Sequence, residues 1–378
     1  MGNICCGKKH SKQRPSNSPL RDPIPEGILF SVGSPLLDIL VTVPPEFLHK
    51  YQLKENEAQL LRNDELGYYN DIIHDLIQNH RSGISYIAGG SAQNTMRVAQ
   101  WIIDSPNACV FVGSIGKDYF GKTLFQKALD DGIVGQYQLV SGMPTGTCVV
   151  LITGKGKRTL LACLAAAESL NQEFLLQKEN EPWMEKAQFF YITAYSLISM
   201  FGVLMHVAQY ALTNNRHLIM HLSAPYIYSK CLTEVNSILP YVDVVIGSAD
   251  EVKAFASCQD FKTDNLEEIA LMACSLPISN SSFTRIVVVT QGTAPVIIAQ
   301  DKTIKKYKVP PIRHGAIKDF NGAGDAFVGG FLAQFVQNAS IEICVQCGIW
   351  AAAEIIKQEG CQFPKNKYFN PFLLTAVK

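Results

Sequence analysis

The sequence predicts an α/β protein, with an open, doubly wound, mostly parallel sheet, helices on both faces and a small β-sheet lid. Short runs of continuous apolarity alternate with stretches of helical periodicity, as strands buried on both faces and joined by crossover helices require. Two regions, 36–62 and about 139–163, break that rhythm with shorter strands. Near the C-terminus, a Gly-Ala-Gly turn runs straight into an apolar helix in "DFNGAGDAFVGGF" (319–331).

Taken in order, residues 1–27 read as a basic tail, and the fold occupies 28–378. The tail begins "MGNICCGKKHSKQR", where Gly2 nearly fits a myristoylation pattern and Cys5 and Cys6 are candidates for palmitoylation. Two acyl chains beside a basic patch would tether a protein to a membrane, whereas one chain anchors only marginally. An unmodified basic tail fits the same residues.

The first strand is "ILFSVG" (28–33). A Gly-Gly turn feeds a helix at 91–104, then come the strand "ACVFVGSIG" (108–116) and a helix at 119–131. Further strands are "AQFFYIT" (187–193), "RHLIMHLSA" (216–224), "VDVVIG" (242–247) and "RIVVVTQG" (285–292). Helical stretches at 200–214, 249–257 and 264–275 separate them, and helices at 323–337 and 340–358 close the core. Right-handed βαβ units gather their loops at the carboxyl ends of the strands, where ligands sit. The lid strands are "LLDILVTV", "TGTCVVLIT" and "RTLLACLA". A cover built from them would exclude water from a reactive phosphoryl group.

Composition narrows the function. The chain has 378 residues, 47% hydrophobic and 17% charged, with zero formal net charge, so no field favours nucleic acid. Its 11 cysteines, an odd number, read as reduced thiols of a cytosolic protein. Cys344 and Cys347 form a CxxC without a second pair, which reads as core packing rather than a zinc site. The uncharged stretch Phe189–Leu212 is long enough to span a bilayer, but its polar residues favour a buried strand, a turn and a helix.

Three motifs carry chemistry. Gly322, Ala323 and Gly324 allow successive N–H groups to point one way, and the helix that follows adds its positive end, which makes a nest for an anion such as phosphate. Asp325 beside that nest suits the positioning and deprotonation of a hydroxyl that attacks phosphorus. No Walker lysine follows, so this is not a P-loop. In "AGGSAQNTMRVAQW" (88–101), Gly89 and Gly90 let the backbone approach a ligand and Asn94 points from the first helical turn, although a plain turn capped by Ser91 fits as well. Asp38 in "VGSPLLDI" can hold two vicinal hydroxyls, or stand as a lone edge residue.

Together these motifs resemble the adenosine kinases of the ribokinase-like (PfkB) carbohydrate kinase family. The resemblance is carried by "LLDI", "AGGSAQN", "AQW", "PTGTC", "LAAA", "LSAP", "PYVD", "TQG", "NGAGDAFVGGF" and "GCQFP", in family order from residue 28 to about 370. It implies a ribokinase-like core with a β lid, ATP as donor, Mg2+ held through phosphates and water, adenosine as acceptor, AMP as product and a cytoplasmic monomer. Asp325 matches the catalytic base, and the backbone of Asn321, Gly322, Ala323 and Gly324 matches the anion hole. Arg158 on the lid matches the arginine that reaches the transferring phosphate. Asp38 matches the grip on the ribose hydroxyls, completed by Gly89, Gly90, Ser91 and Asn94. Gln291, Gly292 and His314 fall on the ATP side.

The chain also departs from the family pattern. Ser34 stands where an asparagine is usual, and Ser248 replaces the amide of the NxxE motif while Glu251 remains. Ser196, beside Tyr195, takes the place of the ring that stacks on adenine; Phe320 replaces a small hydroxyl residue, and His221 an asparagine. Losses of this kind cost roughly 1–3 kcal/mol each. They leave open a catalytically weak nucleoside-binding homologue tethered to a membrane, or a kinase for another nucleoside or sugar.

Overall fold

Successive residues of the central strands bury on opposite sides of one sheet. Phe30, Val110, Phe190, Leu218 and Val245 join one apolar cluster, while their neighbours Leu29, Cys109, Phe189, Ile219 and Val244 join another. Burial on both sides is the physical reason these runs are apolar throughout. The computed structural model describes residues 24–370 except 56, 155–156, 281, 314 and 366–368. Gly2, Cys5, Cys6 and His314 therefore lie outside the described residues.

In chain order the strands are β1 (Leu29–Val32), β2 (Leu36–Thr42), β3 (Ala58–Leu61), β4 (Ser85–Gly89), β5 (Cys109–Gly116), β6 (Val134–Val140) and β7 (Thr147–Thr153). There follow β8 (Lys157–Cys163), β9 (Phe189–Thr193), β10 (His217–His221), β11 (Val244–Ser248), β12 (Ile286–Gln291), β13 (Ala294–Gln300) and β14 (Thr303–Tyr307). The larger sheet has nine strands in the order β14-β13-β12-β11-β10-β9-β1-β5-β6. From β12 to β6 every neighbouring pair is parallel, and only β12–β13 and β13–β14 are antiparallel. Helices Ser91–Ile103, Ala323–Phe335 and Ile341–Ile355 pack on one face, and Leu197–Thr213, Ala249–Cys258 and Leu266–Cys274 on the other.

Three elements of this sheet escape the sequence reading. The edge strand β6 ("VGQYQLV") is only partly buried, so its polar residues interrupt the apolar run. The β13–β14 hairpin turns at Asp301 and Lys302, both in the left-handed region with φ of 49° and 61°. Asn-Gly or Asp-Gly usually marks such a turn, and neither is present here.

The smaller sheet has five strands in the order β3-β8-β7-β2-β4. The sequence assigns the lid to two segments, but β4 comes from a third, and residues 139–140 belong to β6 of the larger sheet. Helix Leu66–Asn79, also unforeseen, packs Tyr69, Ile72 and Leu76 against Ile39, Val41, Val149, Leu151 and Leu161. The smaller sheet thus has an apolar core of its own.

The uncharged stretch resolves into β9, a short helical turn Ala194–Ser196 and helix Leu197–Thr213. Ala194–Thr213 is long and apolar enough to cross a membrane, yet Leu197, Val203, Leu204, Val207 and Ala208 are buried in the core. Cys344 and Cys347 are both fully buried. On the outer side of the helices, Trp101 stacks on Trp350 at 5.3 Å and 10°, and on Phe363 at 5.4 Å and 7°.

Candidate active site

From β1 the larger sheet grows in two directions, to β5 and β6 on one side and to β9 on the other. A crevice forms at such a reversal, outside the carboxyl ends of the strands. Ser34 follows β1 there, and Tyr195 and Ser196 follow β9.

The anion nest depends on a backbone that an L side chain resists. Gly322, the residue before helix Ala323–Phe335, has φ +79°, and an added Cβ would lie 3.1 Å from Cβ of Cys361. No side chain caps the helix, and among the described residues the N–H groups of Gly322, Gly324 and Asp325 meet no backbone acceptor. Those amides and the helix end form a preorganised positive site. Asn321 and Ala323 contribute less than the sequence suggests. Asn321 N–H donates to Oδ1 of Asp319 at 3.0 Å, and Ala323 N–H to the Phe320 carbonyl at 3.2 Å.

Asp325 lies in the first turn of that helix, held from across the cleft. Ser91 Oγ donates to its Oδ1 at 2.6 Å, and Asn94 Nδ2 to its Oδ2 at 3.2 Å. Burial raises its pKa above the ordinary carboxylate value, against the lowering effect of the Ser91 bond. A raised pKa suits a group that must take a proton. Ser91 does not cap the helix, since Gly90 precedes it at the cap with no side-chain cap bond; Ser91 and Asn94 instead orient the carboxylate.

Asn94 is itself fixed by a residue the sequence reading passed over. Arg97, 2% exposed, donates from Nη1 to Asn94 Oδ1 at 2.8 Å and from Nε to Asp131 at 2.6 Å. The signal was present in "NTMR", because residues three apart share a helix face.

Asp38 projects from β2 against β4. A Cβ on Gly89 would fall 2.3 Å from Oδ1 of Asp38, so only glycine leaves room for the carboxylate there. Burial pushes the Asp38 pKa up to about 7, opposed by Arg97 and reinforced by Asp325 and Asp319. Gly90 follows as the residue before helix Ser91–Ile103.

Arg158 in β8 forms an ion pair with Asp319 at 3.0 Å, so it meets the approach to the nest rather than the nest itself. Asp319, 4% exposed, also accepts from Asn321 N–H and from Gly360 N–H at 2.8 Å. One carboxylate thereby ties the smaller sheet, the nest and the C-terminal segment together. Nothing in the local sequence marks it out, since its partners lie far away in the chain.

The remaining candidates extend along the strand ends. Ser248 caps helix Ala249–Cys258, accepting from Glu251 N–H at 3.3 Å, while Oε2 of Glu251 accepts from Ser248 N–H at 2.9 Å. His221 Nε2 lies 3.7 Å from that same Oε2. Tyr195 is 39% exposed, but Ser196 is 1% exposed with its hydroxyl against Thr193, so the ring and not Ser196 faces the crevice. Gln291 bonds the Pro295 carbonyl in the β12–β13 turn beside Gly292, and lines a cavity of about 390 Å³ with Lys253 and Lys306. Among the described residues no cluster of three or more His, Cys, Asp or Glu could hold a metal ion by itself.

The model of the pfkB family of carbohydrate kinases matches residues 65–367. Adenosine kinase 2 of Arabidopsis thaliana is 39% identical over 345 residues, covering 91% of this chain and 98% of the relative. The adenosine kinase of Anopheles gambiae superposes with a TM-score of 0.78 at 37% identity, covering 90% of this chain and all of that one. The Schistosoma mansoni adenosine kinase in complex with 2-fluoroadenosine gives a TM-score of 0.81 at 29% identity, covering 90% of this chain and 98% of that one.

Proposed function

We propose that this chain, a member of the pfkB carbohydrate kinase family, acts as an adenosine kinase that transfers the γ-phosphoryl group of ATP to the 5′-hydroxyl of adenosine, giving AMP. The observation that carries the reading is Asp325, held by Ser91 and Asn94 at the head of a helix whose amides are open. Phosphoryl transfer needs positioning and electrostatics more than covalent chemistry, and this arrangement supplies both.

In this reading Asp38 accepts hydrogen bonds from the ribose hydroxyls while Gly89 and Gly90 let the sugar approach. Asp325 takes the 5′-hydroxyl proton as oxygen attacks phosphorus. Gly322, Gly324 and the Asp325 amide stabilise charge on the transferring group. Arg158 reaches the phosphate only after leaving Asp319, and Tyr195 forms a wall of the base pocket. Gln291 and Gly292 border the nucleotide.

Mg2+, when bound, would neutralise phosphate charge. Glu251 and Ser248 fit its surroundings through water, since the capping box engages only Oε2 of Glu251 among the described hydrogen bonds. A small cation of this kind usually keeps several waters and one or two carboxylates beside substrate phosphates. Nine described cysteines are unpaired, which supports a cytoplasmic enzyme; we take it as a monomer. Tethering through Gly2, Cys5 and Cys6 is a separate proposal, tested by fractionating the Gly2→Ala, Cys5→Ser, Cys6→Ser variant.

The deciding experiment is ATP-dependent phosphorylation of adenosine, inosine, guanosine, cytidine and ribose, with Asp325→Asn alongside. Adenosine turnover that the variant loses is the expected result. Turnover of another acceptor would relocate the specificity. Nucleoside binding without turnover would make the protein a non-catalytic homologue.

A further inference from the structure

His221 ends β10 inside the site just described, and the mechanism above does not use it. The residue is 8% exposed. Its Nδ1 is sealed among protein atoms with no hydrogen-bond partner among the described residues. The opposite edge of the ring meets two functional groups. Nε2 lies 3.7 Å from Oε2 of Glu251, and a Cβ built on Gly324 would lie 4.0 Å from Nε2 and 3.9 Å from Cε1. The Nε2 edge therefore stands between a carboxylate and the anion loop. His221 is also among the groups that act on the Asp325 carboxylate, so ring and base share one field.

The electrostatics of the nest make a donor at that point consequential. A polyphosphate arriving at Gly324 meets two carboxylates, Asp325 and Glu251, that repel it. Ser91 and Asn94 already donate to Asp325, and Arg158 is paired with Asp319. Before Mg2+ arrives and Arg158 leaves Asp319, what favours the anion is backbone N–H from the nest and the Nε2 edge of His221. Donors fixed beforehand where charge develops stabilise a transition state strongly, because nothing need reorganise at the moment of reaction.

We propose that His221 is a catalytic residue of the transfer, donating a hydrogen bond from Nε2 to the phosphoryl group held in front of Gly324. The proposal rests on the kinase reading above. In the step, the 5′-oxygen forms a bond to the γ-phosphorus, and the bond from that phosphorus to the β–γ bridging oxygen breaks. The hydroxyl proton goes to Asp325, the leaving oxygen stays with ADP, and His221 keeps its proton throughout. Glu251, 3.7 Å from the same Nε2, flanks that edge of the ring and helps to orient it.

Three variants separate a donor from a space-filler. His221→Gln keeps an N–H near the Nε2 position, His221→Asn places one near Nδ1, and His221→Leu fills the volume with no donor. Expected for Leu and Asn is a loss of about 10²-fold in kcat, comparable to removal of one oxyanion-hole donor. The KM for adenosine should stay within about twofold, because the lost contact lies on the phosphoryl side. Gln should stay within about fivefold of wild type in kcat, as a conservative replacement of one uncharged donor by another.

The proposal is overturned if Gln is as poor as Leu, which would make the ring a packing element, or if Leu turns over like wild type. Calorimetry separates this failure from failure of the kinase reading. A wild-type protein that phosphorylates no nucleoside defeats the kinase reading. The variants are then titrated with a non-hydrolysable ATP analogue and with ADP. Wild type and Gln should favour the triphosphate over the diphosphate more than Leu does, and an equal preference in all three overturns the phosphoryl contact on its own.

Discussion

At the amino end of β10, His217 Nδ1 lies 3.3 Å from Asp243, and its ring stacks on Phe189 with Phe283 against it at 3.9 Å. At the carboxyl end of the same strand, His221 lies 3.7 Å from Glu251. Each carboxylate also accepts a backbone N–H, Asp243 from Leu218 at 3.0 Å and Glu251 from Ser248 at 2.9 Å. The two pairs are chemically alike and differ in their surroundings. His217 is wrapped by Phe189, Phe283 and Phe335, whereas His221 faces Gly324 and Asp325 at the head of a helix. In a parallel sheet the carboxyl edge is where helices begin, so open N–H groups and their positive ends collect there. A histidine–carboxylate pair supports the fold at one edge and meets substrate at the other because of what sheet polarity brings to it.

The strongest way to break this contrast is Asp325→Asn. The expected loss in kcat is about three to four powers of ten, with adenosine binding retained by calorimetry. An unchanged kcat would remove the carboxyl edge as the seat of the chemistry. At the opposite edge, Asp243→Ala leaves the Leu218 N–H without its buried acceptor and should lower unfolding free energy by about 2–3 kcal/mol. The molecules that stay folded should keep the wild-type kcat, as chemical denaturation and active-site titration would check. A large fall in kcat per folded molecule would mean that the amino edge also serves the reaction.

A third test uses acidity. Asp38 titrates at about 7 in the free protein, well above the ordinary 3.8. The folded state therefore holds this proton more tightly than the unfolded chain. The stability that follows is fully present below 3.8 and is lost as pH rises toward 7. Hydroxyls that donate to Asp38 need the ionised form, so the linkage for binding runs the other way. Adenosine affinity should weaken by about tenfold per pH unit as pH falls below 7. Asp38→Asn should flatten that slope, and an unchanged slope would assign it to another group. Smallest in effect is Ser248→Ala, which removes a helix cap and should cost about 1 kcal/mol of stability. If the KM for ATP rises more than the melting shift explains, Ser248 has a part beyond capping.

How much of this was legible beforehand follows the same division. The parallel strands β1, β5, β9, β10, β11 and β12 announce themselves because burial on both faces writes an unbroken apolar run. The edge strands β6 and β14, and β4 with helix Leu66–Asn79 in the smaller sheet, are only partly buried, so their composition is mixed. Strand β13 buries Val296, Ile297, Ile298 and Ala299 on both faces, an apolar run that the sequence reading passed over. In the site, the glycine turns, Asp38 and Asp325 stand out because local backbone chemistry restricts what can occupy those positions. The bond from Ser91 to Asp325 joins residues 234 positions apart, and the Asp319 and His221 contacts likewise exist only once sheet and helices have assembled. Ser196 shows another limit, since its buried hydroxyl pairs with that of Thr193 at 3.3 Å, a local contact that sequence order does not announce.

Two of the three tryptophans in the chain stand face to face, Trp101 on the helix that begins in the site and Trp350 on helix Ile341–Ile355. Parallel indoles 5.3 Å apart couple their electronic transitions, so the folded protein carries an intrinsic optical signature in the near ultraviolet. Trp101 ends the same helix whose first turn holds Ser91 and Asn94, and Phe363 presses on it from the segment that follows Gly360 and Cys361. The pair thus acts as a strain gauge cemented to the back of the catalytic scaffold. It is readable without a label, and the stacking of Phe363 on Trp101 ties it to the C-terminal segment as well as to the helix that carries Ser91 and Asn94.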